Sequence, residues 1–307
     1  MTTIPRPEYR KREYLSVSTL IDFARCPRRY FYKKCGLTPH GDEPNALSFG
    51  SAMHKAVPVA LQTFDLNESM SAFDSVWDEA LADKKRSRRR AEANLGNFIH
   101  THKDGRSLYK LLPPPASAIV TDSSVSDFEV AFAIDVGLPV PIAGRIDGLC
   151  QHRDSGKQMG WEFKTASRLT SSFFDCFEYN VQVLSYALAL NTMTQIDGFI
   201  VEGMLVDPKK VDCLAHPVYI QEHQLKAIHT WLNYYGSLLL ACEAKFLSQG
   251  VEFPQDFTGC SAYTHYYMPM AQCEFNDLCR VEDWRSLASI FNIKPEHNFM
   301  DLSVKET

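Results

Sequence analysis

Asp147, in the run Ala143-Gly144-Arg145-Ile146-Asp147-Gly148, stands fifteen positions before Glu162 of the tetrad Trp161-Glu162-Phe163-Lys164. An acid, followed by an acid and a lysine one residue apart, can hold a divalent cation and polarise a water, which is the chemistry of metal-assisted phosphodiester cleavage. In an extended segment residues i and i+2 point to one face, so Glu162 and Lys164 stand together while Trp161 and Phe163 face the core. The segment 140–147 reads as the neighbouring strand of a hairpin whose polar turn is Asp154-Ser155-Gly156-Lys157. Asp147 then lies beside Glu162, and like charges placed opposite one another are unfavourable unless a cation lies between them. The plain alternative is a salt bridge on an ordinary hairpin, because Glu-x-Lys is a common triplet.

The elements that must position these residues follow from the pattern around them. Ser16-Val17-Ser18 is a plausible helix cap, followed by Leu20, Phe23 and Ala24 at helical spacing and the run Arg28-Arg29-Tyr30-Phe31-Tyr32. A second helix opens at Ser48 and carries Gly50-x-x-x-His54. Helical spacing continues to about residue 110, and Pro113-Pro114-Pro115 closes a helical region over 16–115. From residue 125 the pattern changes to strands: Phe128–Phe132, the hairpin, and, after a helix over 174–190, the apolar run 198–206. A long helix over about 221–247 carries Trp231, Leu232, Tyr235 and Leu239 on one side. The expectation is an α/β chain acting as one domain over 1–307, with a core at 125–206 and a C-terminal segment at 221–280.

Composition excludes several classes. With 307 residues, 45% hydrophobic and 22% charged, the chain can bury a large core and is not of disordered composition. No apolar run is long enough to span a bilayer, and no signal-like segment opens the chain, so a cytoplasmic protein without a membrane partner is expected. A net charge of −5 argues against coating a polyanion by bulk attraction. A local basic run, Lys84-Lys85-Arg86-Ser87-Arg88-Arg89-Arg90, continues a helical stretch from about Ser69 and is either a solvated helix face or a phosphate guide. Of nine cysteines, Cys35, Cys150, Cys176, Cys213 and Cys242 are scattered and read as small core residues.

Beyond the hairpin, Gln182 and Tyr186 lie four apart on one helix face in Tyr179-Asn180-Val181-Gln182-Val183-Leu184-Ser185-Tyr186. Asp147, Glu162-Phe163-Lys164, Gln182-x-x-x-Tyr186 and an upstream histidine helix, in this order, resemble the PD-(D/E)xK nuclease superfamily. More narrowly, they are similar to its RecB-like branch, which includes CRISPR-associated exonucleases with an iron-sulfur cluster. The opening Ser16–Tyr32 also resembles the start of those proteins. The resemblance implies a restriction-endonuclease-like α/β core, a mixed central sheet flanked by helices. It implies His54, Asp147, Glu162 and the main-chain carbonyl of Phe163 as ligands of Mg2+ or Mn2+, Lys164 as the catalytic lysine, and Gln182 and Tyr186 as residues that place the strand or the lysine. Imidazole among the ligands makes manganese a reasonable activator beside magnesium.

The same resemblance gives meaning to Cys26, Cys260, Cys273 and Cys279, with twelve and five residues between the last three. One early and three late cysteines hold a [4Fe-4S] cluster in the iron-sulfur members of the branch. The wide gap before Cys273 departs from their usual spacing; His265 is a possible substitute ligand and Zn2+ an alternative occupant. The implied activity is a DNA nuclease, an exonuclease on single strands or free ends, working with recombination, repair or CRISPR-type partners. The rival expectation is a catalytically silent DNA-binding subunit with a structural iron-sulfur or zinc site.

Overall fold

The computed structural model describes residues 12–38, 45–103, 107–118, 128–256, 273–281, 283, 286–287 and 291–293. The chain divides into two compact units, one formed from residues 1–41, 135–143 and 229–307 and the other from 42–134 and 144–228.

The second unit is built on a five-stranded sheet in the order Tyr109–Leu112, Gly148–His152, Gln158–Ala166, Gly198–Leu205, Cys213–Tyr219. Three of its pairings are antiparallel and one, Gln158–Ala166 with Gly198–Leu205, is parallel, so the sheet is mixed. A parallel pair needs a crossover, and the helices Ser171–Asp175 and Val181–Asn191 supply it. The central strand is buried from Met159 to Phe163 because both its faces are covered. Trp161 and Phe163 enter a core with Phe49, Met53, Val57, Phe98 and Tyr109, drawn from the helices Asn45–Thr63 and Arg88–Lys103 and the strand Tyr109–Leu112. Helix Val181–Asn191, which also contacts the central strand, buries Val183, Leu184, Tyr186, Ala187, Ala189 and Leu190. Gly160 is required where it stands: a Cβ there would come within 2.3 Å of the Phe199 ring.

Three sequence expectations change in the folded chain. The partner of the central strand in its hairpin is Gly148–His152, with Gly148 opposite Trp161, whereas Ile142–Ile146 belongs to a different sheet. The strand run breaks at Asp147 itself. The expected turn is present, with Gly156 at φ +68° closing it. A single helix over 174–190 gives way to two, because the Asn180 side chain accepts from the amides of Gln182 (2.9 Å) and Val183 (3.2 Å) and so starts a new helix. The basic run does not continue a helix from Ser69. Leu66–Asp74 ends before it, Lys84, Lys85 and Arg86 are irregular, and Arg88 opens the next helix.

Sequence reading passed over a buried polar network in this unit. Glu202, in the strand otherwise read as apolar, is 2% exposed and faces four donors. Trp161 Nε1 donates to Oε2 at 3.2 Å, Cys213 Sγ to Oε1 at 3.2 Å, Tyr109 OH to Oε2, and His102 Nε2 lies 3.3 Å from Oε1. Burial works to raise Glu202, but these partners hold it below the usual carboxylate range. Burial likewise works to lower His102, and Glu202 more than offsets this, so the imidazole is raised. Of the five cysteines expected in the core, only Cys150 is fully buried and Cys176 is exposed.

In the first unit Ser16 caps helix Val17–Arg25 by accepting from the Thr19 amide at 3.1 Å, as its sequence suggests. Cys26 then forms the junction with helix Pro27–Lys34. The buried Arg12 guanidinium meets Glu243 of helix Glu222–Gln249 with Nε 2.9 Å from Oε2, and also reaches Tyr30. Tyr30 in turn belongs to a cluster of aromatic rings with Phe23, Phe31, Phe246 and Phe253.

The Glu202 network generates a stability prediction. Glu202→Ala leaves buried donors without an acceptor and is expected to cost about 3–5 kcal/mol in urea unfolding. The sign of its pH dependence follows from the two shifts. His102 is raised, so its contribution is complete below its ordinary value near 6.5 and fades as pH rises through the folded value. Glu202 is lowered, so its contribution is complete above 4.5 and fades as pH falls through the folded value. The stability gap between wild type and His102→Gln should therefore be widest between these limits and narrow at alkaline pH; a flat gap would remove the charged pair.

Candidate active site

Each sequence-predicted residue of the acid and lysine set lies in the second unit, and contacts join them in two short chains. Asp147, at the break between two strands, accepts from the backbone N–H of Phe163 at 2.9 Å through Oδ2. The same oxygen is 3.8 Å from His54 Nδ1. His54 reaches this point from helix Asn45–Thr63, its ring edge-on to Phe163 at 5.1 Å. Pro58, one turn further along, has no N–H to give the His54 carbonyl, so the helix ladder is interrupted beside the histidine. The Gly50 of Gly50-x-x-x-His54 faces Thr165, where a Cβ would meet Oγ1 at 3.4 Å, an ordinary contact, so glycine is compatible here without being required.

The second chain starts at Glu162, which is 0% exposed. Lys164 Nζ stands 2.5 Å from Glu162 Oε1 as a close ion pair, and no further donor among the described residues reaches the carboxylate. Lys164 Nζ also donates to Gln182 Oε1 at 3.4 Å, and Gln182 Nε2 to Tyr186 OH at 2.9 Å. The i, i+4 spacing thus makes Gln182 a bridge from the lysine to the tyrosine, whose ring is held edge-on to Phe132.

Burial dominates the electrostatics. It pushes Glu162 up to about 8, Asp147 adds to the rise, and Lys164 opposes it. Burial works to lower Lys164, and Glu162 and Asp147 overcome it, so the ammonium is held above its usual range. Burial lowers His54 with Lys164 adding to the effect and Asp147 opposing it, which favours the neutral imidazole that can ligate a metal. A small, partly open cleft is walled by His54, Glu129 and Asp147 over an apolar lining of Val57, Pro58, Trp161 and Phe163. Glu129 is the residue that sequence reading missed. Arg145 Nη1 lies 3.6 Å from it, and burial, with Asp147 adding and Arg145 opposing, raises it. An acid at the head of an apolar strand was the only available signal.

A profile of the PD-(D/E)XK nuclease superfamily matches residues 14–280, most of the chain. The chain belongs to that superfamily. No curated protein matches it. Among solved structures, it is similar to a "Putative exonuclease" from Eubacterium rectale, at 14% identity over 79% of this chain and 84% of that one, with a TM-score of 0.49. A protein named SSO0001 follows at 13% identity over 75% and 79%, with a TM-score of 0.34.

Nucleases of this superfamily typically use divalent metals such as Mg2+. The donors here suit such an ion: two carboxyl groups and a neutral imidazole, with Glu162 buried and met by Lys164. As the side chains stand, no three His, Cys, Asp or Glu residues among the described residues converge on one point. Lys164 occupies Glu162 and the Phe163 amide occupies Asp147, so metal binding would have to loosen the first of these contacts.

The remaining predicted residues lie apart from these chains. Within the basic run, Arg86 pairs with Asp83 at 2.8 Å and Arg88 with Asp74 at 3.0 Å, Arg90 donates to the Lys210 carbonyl, and Lys84, Lys85 and Arg89 are exposed. Cys26, Cys273 and Cys279 lie in the first unit, while Cys260 and His265 are outside the described residues. Burial raises Cys273, the buried Cys26 adds slightly to the rise, and Cys279 faces Tyr32. Arg29 of helix Pro27–Lys34 bonds Glu274 at 2.9 Å, which ties residues beside Cys273 to the helix that follows Cys26. Among the described residues no helix is long and apolar enough to cross a membrane.

Ligation by Glu162 has a direct thermodynamic test. Mn2+ at about one hundred times its Kd should stabilise the wild type by about 2.7 kcal/mol, read as a higher Tm, and EDTA should reverse the gain. Glu162→Gln is expected to show little response; an equal rise in that variant would remove Glu162 from the ligand set.

Proposed function

We propose that this chain is a divalent-metal-dependent DNA nuclease that hydrolyses phosphodiester bonds, acting as an exonuclease on single strands or free ends. The observation that carries the reading is the run of contacts from buried Glu162 through Lys164 and Gln182 to Tyr186, with His54 and Asp147 meeting at the adjoining strand break, in a chain of the PD-(D/E)XK superfamily.

In this reading His54, Asp147, Glu162 and the Phe163 carbonyl hold Mg2+ or Mn2+, which supplies Lewis acidity at the phosphate and lowers the pKa of water. Lys164 orients the attacking water and offsets negative charge as it develops on the phosphoryl oxygens. Gln182, itself fixed by Tyr186, keeps the ammonium from swinging away. Lys84, Lys85 and Arg89, whose side chains are exposed, are the members of the basic run best placed to meet phosphates. Cys26, Cys260, Cys273 and Cys279 hold a [4Fe-4S] cluster, or alternatively Zn2+, that closes a loop of more than two hundred residues. Recombination, repair or CRISPR-type processing is the setting to which the RecB-like resemblance points, in a cytoplasmic protein.

The deciding experiment is degradation of end-labelled single-stranded DNA by anaerobically purified protein with Mn2+, Mg2+ or EDTA. Metal-dependent products are expected from wild type and none from Glu162→Ala. Lys164→Ala should lose turnover while retaining DNA binding, and Gln182→Ala should lower kcat more than it raises KM. Unchanged turnover in Lys164→Ala would remove its catalytic role, and DNA binding without cleavage by the wild type would favour the silent-subunit alternative. The same preparation tests the cluster: wild type should be brown and contain iron, and Cys26→Ser colourless; a colourless wild type containing zinc selects the other occupant.

A further inference from the structure

Tyr179 is 74% exposed, the most exposed large hydrophobic side chain among the described residues. Its surroundings make that exposure unusual. The nearby aromatic residues Phe174 and Phe177 are buried, and Phe173 packs edge-on against both. The backbone on either side is pinned. Phe177 accepts from the Asn180 amide at 3.3 Å, and the Glu178 carbonyl accepts from Nε2 of the buried Gln224 at 2.9 Å. Asn180 is itself engaged as the cap of helix Val181–Asn191. A segment held this firmly presents its one outward ring without a large further loss of conformational freedom on binding.

The place is also specific. Tyr179 precedes by three residues Gln182, the partner of Lys164 Nζ, so their Cα atoms are at most about 11 Å apart. Aromatic rings stack on any base, because every base offers a π-face, which suits a nuclease that reads no sequence. We propose that Tyr179 is a stacking platform for a base of the single-stranded DNA substrate beside the scissile phosphate. The proposal rests on the nuclease reading and adds a positioning residue to it.

The test uses the full-length wild type, Tyr179→Ala and Tyr179→Phe with an end-labelled oligothymidylate. Binding is measured by fluorescence anisotropy in EDTA, and cleavage in Mn2+. Loss of one stacked base weakens binding by about tenfold, so Tyr179→Ala should raise Kd and KM by about that factor with kcat unchanged, and Tyr179→Phe should stay close to wild type. Moving a single abasic site along the oligonucleotide should reveal one position where wild type loses the same factor and Tyr179→Ala loses nothing more. A Tyr179→Ala protein equal to wild type on every substrate, or weakened equally wherever the abasic site stands, overturns the platform while wild-type cleavage keeps the nuclease reading intact. A wild type that neither binds nor cleaves DNA overturns both.

Discussion

The Glu162 carboxylate, fully buried with a lysine ammonium against it, is the constraint on which the second unit depends. Removing a carboxylate from water costs several kcal/mol, and one nearby cation offsets this only in part when no further donor completes the shell. The displacement of Glu162 to about 8 expresses that imbalance. A core optimised for stability alone would place an apolar residue there. An acid kept in this position is instead suited to a second cation, which would supply the attraction that the protein leaves unmet.

The surrounding architecture serves that arrangement. The central strand exposes opposite faces at alternate residues, so the apolar ring pair Trp161 and Phe163 anchors the strand in the core while Glu162 and Lys164 are held on the other face. The strand break at Asp147 turns its carboxylate onto the Phe163 amide and toward His54. Behind the strand, Glu202 meets Trp161 and three further side chains, a carboxylate ringed by donors beside a carboxyl, Glu162, that meets Lys164 alone. The contrast separates their roles: a carboxylate surrounded by donors holds the core together, and one short of donors is available for chemistry.

Much of this was legible in the chain. The i, i+2 alternation of a strand places Glu162 with Lys164, and the i, i+4 spacing of a helix places Gln182 with Tyr186, because these relations depend only on backbone periodicity. The hairpin turn and the Ser16 cap were readable for the same reason, since a few local residues determine them. The helix break at Asn180 was missed although a capping residue stood there, because the apolar run on either side matched a continuous helix. The partner of the central strand was misplaced by one strand, since nothing local marks where a run of apolar residues leaves one sheet for another.

By itself, then, the sequence determined the local pairs, the mixed α/β character and, through a match over residues 14–280, membership of the PD-(D/E)XK superfamily. Tertiary structure alone decided that Glu162 is fully buried against Lys164, that His54 meets Asp147 across ninety-odd residues of chain, and that Glu129 shares their cleft. It decided too that Arg86 and Arg88 pair with nearby acids, and that Tyr179 projects from a pinned backbone. The physical reason is that burial and long-range proximity are properties of packing: residue type and spacing set which groups can interact, while desolvation and neighbouring charge, which fix their chemistry, exist only once the chain has closed around them.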